Sequence, residues 1–148
     1  MSTPSLVLAH PPAAPADAAA CLQAKLACYT DAADLAHDLA ARAPGFAVID
    51  ARAPAAYRDG HIPGATSFPH RTMDAASTAG LARELVYIVY CDGIGCNAST
   101  QGAWKLARLG FQVKELIGGL DFWKRDGHPT AQGEAPGALA ASGAGCGC

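Results

Sequence analysis

The feature that most constrains the fold is a strand, a glycine-rich loop and a helix that follow one another between residues 85 and 109. Residues 85–90 are all aliphatic or aromatic, which is typical of a strand buried in a sheet. They lead into a six-residue loop, and a helix begins at Asn97 and ends before Gly110. The loop consists of Cys91, Asp92, Gly93, Ile94, Gly95 and Cys96.

The rest of the chain alternates between helices and strands in the same way. Helices are predicted at 17–29, 30–41 and 120–125, strands at 46–50, 66–68 and 111–116, and a short helix or turn at 53–59. This order predicts an α/β fold with a doubly wound, mainly parallel sheet flanked by helices. Ligands bind beyond the carboxyl ends of the strands in such sheets, which is where Cys91 lies.

Length and composition predict one domain with two flexible ends. The chain has 148 residues, enough for a single core, and 34 of them are alanine, which carries little information about the fold. We expect a flexible lead-in at 1–16, a folded domain with an N-terminal helical extension at 17–129, and an Ala/Gly-rich tail at 130–148. The helical extension could cover the domain or join two copies in a homodimer.

Charge and hydropathy exclude several classes of protein. A net charge of −2 and a pI near 6.2 argue against binding to nucleic acid, and no apolar run is long enough to cross a membrane. The N-terminus lacks the basic segment of a signal peptide, so we expect a protein that begins near Met1 and works in the cytoplasm. The six cysteines are then expected to be reduced, and no metal or cofactor is predicted.

Cys91 is the candidate nucleophile. Glycines allow a loop to point successive backbone N–H groups inward, and the N-terminus of the following helix adds a partial positive charge. Both effects stabilise a thiolate and lower the pKa of a cysteine. The alternative is a buried structural cysteine, which the position at a strand end disfavours. Cys21 and Cys28 lie seven residues apart in a predicted helix and are expected to be packing residues.

Three segments of the chain resemble the signatures of single-domain rhodaneses, a family of sulfurtransferases. The first comprises residues 48–52 with Tyr57 and the Gly-His-Ile-Pro-Gly-Ala run at 60–65. The second is Tyr90 with the cysteine loop and its helix, and the third is the Gly-Gly-Leu-Asp-Phe-Trp run at 118–123 with residues 127–129. Together they span about residues 30–129, at the distances that the family shows.

The resemblance implies a cytoplasmic transferase whose cysteine, Cys91, carries sulfur as a persulfide. It implies a sulfane-sulfur donor, either a small molecule or a protein persulfide, and a thiol or another nucleophile as acceptor. The active-site loop would comprise Cys91 to Cys96 and Asn97, with loop amides holding the terminal sulfur. A six-residue loop favours sulfur transfer over the related phosphatases and arsenate reductases, which use seven residues.

Two loop residues depart from the family pattern. The family often has arginine at the second and sixth loop positions, where this chain has Asp92 and Cys96, and residues 91–100 contain no Lys or Arg. Because a negative Asp92 disfavours a dianionic donor, we expect thiosulfate to be a poor donor. Cys96 could either attack the persulfide as a resolving cysteine or pack beneath the loop.

The resemblance also suggests supporting roles for residues outside the loop. Asp50 would help to hold the loop and Arg52 would lie near the pocket, although a structural salt bridge explains both equally well. His61 would organise its turn. Phe122 and Trp123 are expected to be core or pocket wall. Trp104 and Leu109, on the helix after the loop, are expected to face the sheet as core residues.

The last cysteines, Cys146 and Cys148, form a Cys-Gly-Cys end to the tail. They could relay sulfur from Cys91, reduce a disulfide between Cys91 and Cys96, or bind a soft metal together with further ligands. The simpler interpretation is that these two cysteines have no function and lie in a disordered end of the chain. The competing function for the whole chain is a thiol redox or sulfur-sensing interaction module, in which Cys91 and Cys96 alternate between dithiol and disulfide.

Overall fold

A computed structural model describes residues 1–141 and shows a single five-stranded sheet. The strands lie in the order β1-β5-β4-β2-β3, and every neighbouring pair is parallel. Their bounds are β1 Tyr29–Thr30, β2 Phe46–Asp50, β3 Thr66–Ser67, β4 Val86–Tyr90 and β5 Gln112–Leu116. The strand that precedes the cysteine loop, β4, is therefore central, with β2 on one side and β5 on the other.

Five α-helices connect and cover these strands. They are α1 Pro15–Cys28, α2 Ala32–Ala41, α3 Pro54–Asp59, α4 Ala98–Arg108 and α5 Gly119–Arg125, with a 3-10 turn at His70–Thr72. The start of α2 is set by Asp31, whose carboxylate accepts a hydrogen bond from the Asp34 amide at 2.8 Å. Arg42, in the left-handed conformation with φ 54°, ends that helix.

The core lies on both faces of the sheet, as side-chain alternation along a strand requires. Ile88 and Tyr90 of β4 pack with Trp123 on the face covered by α2 and α5. Tyr87 and Val89 pack on the opposite face with Leu106 of α4. The predicted α/β fold with a doubly wound parallel sheet is thus confirmed, and each residue of β4 contributes to one of two hydrophobic layers.

The short edge strand β1 was not predicted, because two residues carry no periodicity of their own. Tyr29 pairs with Glu115 and Thr30 with Leu116. Residues 131–139, which the sequence placed in the tail, contact the domain: His61 and Ala131 form an antiparallel bridge, and Leu139 packs against the core. Nothing is described for residues 142–148.

Several expectations about packing are wrong. Cys21 and Cys28 are exposed, because α1 buries none of its residues. Trp104 is 56% exposed, because α4 packs against the sheet through small residues instead. The approach is close at Gly102, where a Cβ would lie 3.3 Å from the Val89 side chain. Leu109 is partly buried against the core and Trp123 is fully buried, as expected.

Among the described residues, no helix combines the length and the hydropathy that crossing a bilayer requires.

Candidate active site

Cys91 begins the loop that leaves the carboxyl end of the central strand β4. Two backbone hydrogen bonds tie this loop to α5, from the Leu120 amide to the Cys91 carbonyl at 2.9 Å and from the Asp121 amide to the Asp92 carbonyl at 2.8 Å. The close approach requires Gly119, because a Cβ there would overlap the Cys91 carbonyl oxygen. The Gly-Gly pair at the start of α5 therefore fixes the position of the cysteine loop.

The Cys91 thiol is enclosed, with only 1% of the residue exposed. Its sulfur lies 3.2 Å from the Cys96 carbonyl oxygen, 3.9 Å from that of Gly93 and 3.1 Å from the Ser99 hydroxyl. Two of the backbone groups that face the sulfur are thus carbonyls, which accept a hydrogen bond from a thiol and repel a thiolate.

The pKa of Cys91 is raised, which contradicts the expected thiolate. Burial is the main cause and the neighbouring Cys96 thiol adds to it, while the proximity of Ser99 offsets part of the effect. The prediction failed because it assumed that loop amides point inward. The surroundings of Cys91 therefore favour the neutral thiol over the thiolate.

A polar cluster that sequence reasoning missed lies behind the cysteine. The hydroxyls of Ser99 and Thr100, in the first turn of α4, both donate to Oε1 of Glu115 at 2.7 Å. Glu115 is opposite Val89 in the β4–β5 register, two residues before Cys91. The missed signal was a glutamate at the carboxyl end of a strand that neighbours β4.

On the other face of β4, Asp50 and Arg52 form a buried ion pair. The Asp50 carboxylate is fully buried and accepts hydrogen bonds from Nη2 of Arg52 at 2.6 Å and Nε at 2.9 Å, and from the Tyr90 hydroxyl at 2.8 Å. Arg52 also donates to the Gly60 carbonyl at 2.6 Å. Burial, followed by the charge of Asp50, raises the pKa of Tyr90.

Arg52 connects this ion pair to the loop. Its Nη1 donates to Asp92 Oδ1 at 3.0 Å, and the Asp92 side chain is 68% exposed. Burial alone would lower the pKa of Arg52, but hydrogen bonds and charges from Asp50 and Asp92 outweigh it and raise the pKa. The structure thus combines both earlier interpretations: the ion pair is structural, and it also reaches the loop.

Two open clefts flank the loop. One, of about 410 Å³, is lined by residues of the loop, α4, β5 and β1, among them Cys96, Asn97, Thr100, Glu115 and Tyr29. The second, of about 580 Å³, lies between the loop and α5, where Ile94 and Phe122 are exposed. Phe122 is therefore a cleft wall and not a core residue. Ligands that enter either cleft meet the loop, and not Cys91 itself, in this conformation.

The remaining loop residues have distinct surroundings. Residues 91–97 connect β4 to α4, so the six-residue cysteine loop is followed by Asn97 at the N-terminal boundary of the helix. Asn97 precedes α4 without capping it and accepts a hydrogen bond from Gln101 at 3.1 Å. A Cβ on Gly93 would lie 3.2 Å from Asp121, whereas one on Gly95 would meet no atom within 4 Å.

His61 organises its turn, as expected. The ring is fully buried and stacked on Tyr57, with Nδ1 2.8 Å from the Tyr57 carbonyl oxygen and Nε2 3.1 Å from those of Ala135 and Pro136. Cys146 and Cys148 lie outside the described residues. Within residues 1–141, no group of three or more His, Cys, Asp and Glu side chains is placed to hold a metal ion.

Comparisons with known proteins agree on the family. The rhodanese-like domain model matches residues 31–126. A thiosulfate sulfurtransferase, GlpE of Pseudomonas entomophila (strain L48), is 39% identical over 101 residues, which cover 66% of this chain and 88% of the relative.

Solved structures show the same similarity. The crystal structure of the BH2092 protein from Bacillus halodurans is 39% identical, with a TM-score of 0.78 over 82% of this chain and 88% of that one. The solution structure of the rhodanese-like domain of the Alr3790 protein from Anabaena is 30% identical, with a TM-score of 0.63 over 81% of this chain and 86% of that one.

Proposed function

Because this chain belongs to the rhodanese-like domain family, we propose that it is a sulfurtransferase in which Cys91 accepts a sulfane sulfur, carries it as a persulfide and passes it to a nucleophile. The observation that carries the proposal is the position of Cys91. Its thiol begins a loop at the carboxyl end of the central strand, between two clefts that a donor and an acceptor can enter. Such a thiol is a candidate nucleophile for covalent catalysis.

The reaction consists of two displacements on sulfur. The Cys91 thiolate attacks the outer sulfur of a persulfide donor, so that a new S–S bond forms as the donor's S–S bond breaks and a thiolate leaves. An acceptor thiolate then attacks the outer sulfur of the Cys91 persulfide and regenerates the Cys91 thiolate. Each step exchanges one S–S bond for another, so no external oxidant or reductant is needed.

The enclosure of Cys91 requires the loop to move before a donor can react. A residue that is 1% exposed cannot be reached by the outer sulfur of a donor in this conformation. We place this movement at Gly95, because a Cβ there would meet no atom within 4 Å and glycine adopts a wide range of backbone conformations. Rotation that replaces the Cys96 carbonyl with an amide would also supply a hydrogen bond to an anionic terminal sulfur.

We propose that the donor is a low-molecular-weight or protein persulfide and not thiosulfate. Arg52 contacts the loop, but its donors are already directed to Asp50, Gly60 and Asp92. Arg125 lines the cleft beside α5 and is paired with Asp121. The exposed Asp92 carboxylate then repels a dianion that enters the cleft beside α5. Activity toward thiosulfate belongs to the Pseudomonas relative by name, and this loop disfavours it.

Intact-mass spectrometry after brief exposure to glutathione persulfide tests the proposal. We expect a gain of about 32 Da, the mass of one transferred sulfur, that is lost in Cys91→Ser and retained in Cys21→Ser, an exposed cysteine far from the loop. The same exposure to thiosulfate should load much less sulfur. Equal loading of wild type and Cys91→Ser would refute the proposal.

A second candidate function is a dithiol–disulfide switch. The observation that favours it is the proximity of the two residues: the Cys91 sulfur lies 3.2 Å from the Cys96 carbonyl oxygen, and the Cys96 thiol contributes to the raised pKa of Cys91. Attack of the Cys96 thiolate on the inner sulfur of the Cys91 persulfide would release hydrosulfide and leave a disulfide. A loss of about 2 Da that requires both cysteines would favour this function over a stable persulfide carrier.

The proposed chemistry also sets the surroundings in which the protein works. Cys91 must be reduced to accept sulfur, so we propose a reducing compartment such as the cytoplasm. The acceptor is a thiol or another nucleophile that enters one of the two clefts. Association into a homodimer through α1 is a further proposal, supported by the exposed Leu22 and Leu26 on that helix.

A further inference from the structure

A chain of hydrogen bonds leads from the Cys91 thiol to a carboxylate, and its direction is determined by chemistry. The Ser99 hydroxyl donates to Oε1 of Glu115 at 2.7 Å, because a carboxylate oxygen accepts hydrogen bonds. The Ser99 oxygen then has only lone pairs to offer Cys91, 3.1 Å away. Ser99 can therefore accept the single thiol proton, for which it competes with the Cys96 carbonyl at 3.2 Å from the sulfur.

We propose that Ser99 and Glu115 form a relay that removes the proton from Cys91 when it attacks a sulfur donor. Ser99 contacts the reacting sulfur and is the catalytic member. Glu115 acts through Ser99 and is a positioning residue that also accepts the proton. This inference rests on the proposed function for its substrate, but its test does not require sulfur transfer.

The proton balance of the step is simple. The thiol proton passes from Cys91 to the Ser99 oxygen as the Ser99 proton passes to Oε1 of Glu115. Cys91 becomes a thiolate, Ser99 remains neutral, and Glu115 changes from carboxylate to carboxylic acid. Glu115 lines the cleft of about 410 Å³, through which it can return the proton to water or to the departing thiolate.

The surroundings explain why a relay is needed. Burial and the Cys96 thiol raise the pKa of Cys91, so few molecules hold a free thiolate at neutral pH. Thr100 donates a second hydrogen bond to Oε1 and so holds Glu115 in place while the Ser99 proton is transferred. Two further titratable groups line the same cleft, Lys25 from α1 and Tyr29 from β1, whereas Asp92 and Arg52 pair with each other.

The test is the pH dependence of Cys91 alkylation by iodoacetamide, followed at Cys91 by fragment mass spectrometry. A carboxylate that accepts the proton makes the rate nearly constant across the neutral range, whereas reaction through free thiolate alone falls about tenfold for each pH unit below the thiol pKa. Wild type is expected to show the constant region. Glu115→Gln, which keeps an acceptor oxygen but takes no proton, is expected to lose it.

At pH 6 the rate in Glu115→Gln should fall by a factor on the order of 10², the usual effect of a positioned base. Ser99→Ala should show the same loss, and Glu84→Gln, at an exposed site before β4, should match wild type. A merely structural Glu115 would give the opposite result, because removing its negative charge favours the thiolate and speeds the reaction. Unchanged or faster alkylation in both Glu115→Gln and Ser99→Ala would overturn the proposal.

The two proposals fail in different ways. If wild type shows the constant region but gains no sulfur from glutathione persulfide, the sulfurtransferase proposal fails and the relay stands. If sulfur is gained at Cys91 but the alkylation rate falls tenfold per pH unit in wild type, the relay fails and the transfer function stands.

Discussion

Replacing Asp50 with Asn removes the counter-charge of a buried guanidinium while preserving the shape of the side chain. Asp50 is fully buried, and the Arg52 side chain that it holds is only 7% exposed. Removing one partner of a buried pair costs about 3–5 kcal/mol, because the remaining charge is left uncompensated. Arg52 keeps its contacts with Asp92 and Gly60, so we expect the lower end, about 3 kcal/mol.

Urea denaturation at pH 7, followed by circular dichroism, measures this loss as a shift in midpoint with an unchanged slope. The matched control is Asp121→Asn, which breaks the exposed pair between Asp121 and Arg125 and should cost roughly 0.5 kcal/mol or less. Adding Arg52→Met to Asp50→Asn should recover part of the stability, since both charges are then removed. Equal, small losses in Asp50→Asn and Asp121→Asn would refute the argument that this pair is buried and coupled.

Three further predictions follow from the loop. Asp92→Asn should raise the rate of sulfur loading from thiosulfate roughly fivefold relative to wild type. The substitution removes a repelling charge worth about 1 kcal/mol and frees Nη1 of Arg52. No change in loading would contradict the role of Asp92 in donor choice. Gly119→Ala should destabilise the fold by more than about 2 kcal/mol, because the alanine Cβ would overlap the Cys91 carbonyl and the backbone φ is +57°. Gly95→Ala, the control, should lower the free energy of unfolding by less than about 1 kcal/mol in the same urea titration. The raised pKa of Cys91 stabilises the fold below the ordinary thiol pKa of about 9, and this contribution is lost as pH rises from there to the folded-state value. Wild type should therefore lose more stability between pH 8 and pH 10 than Cys91→Ser does, and identical losses would contradict a raised pKa.

The strands with strong patterns were predictable from the sequence because their signals are local. Continuous apolar runs identified β2 and β4, and the residues around Gly118 and Gly119 marked the start of α5. Strand β1 could not be identified in this way, because Tyr29 and Thr30 are a strand only by virtue of pairing with β5. The exposure of Trp104 was equally hidden, because it depends on how closely α4 approaches the sheet through Gly102.

The candidate nucleophile was identifiable from the sequence, but its electrostatics were not. Cys91 could be singled out because a strand end and a glycine-rich loop are local features. Whether loop amides or loop carbonyls face its sulfur depends on the orientation of individual peptide groups, which the order of residues does not determine. Ser99 and Glu115 are 16 residues apart and meet only because α4 crosses from β4 to β5.

The most direct test of the central claim is a single turnover of sulfur through Cys91. The chain is loaded with glutathione persulfide, freed of excess donor and mixed with a thiol acceptor, while fragment mass spectrometry follows residues 91 and 96. We predict that the added sulfur is found on Cys91 and disappears at the rate at which the acceptor persulfide appears. Sulfur found only on other cysteines, or a Cys91–Cys96 disulfide formed with no transfer to the acceptor, would contradict the assignment of Cys91 as the sulfur carrier.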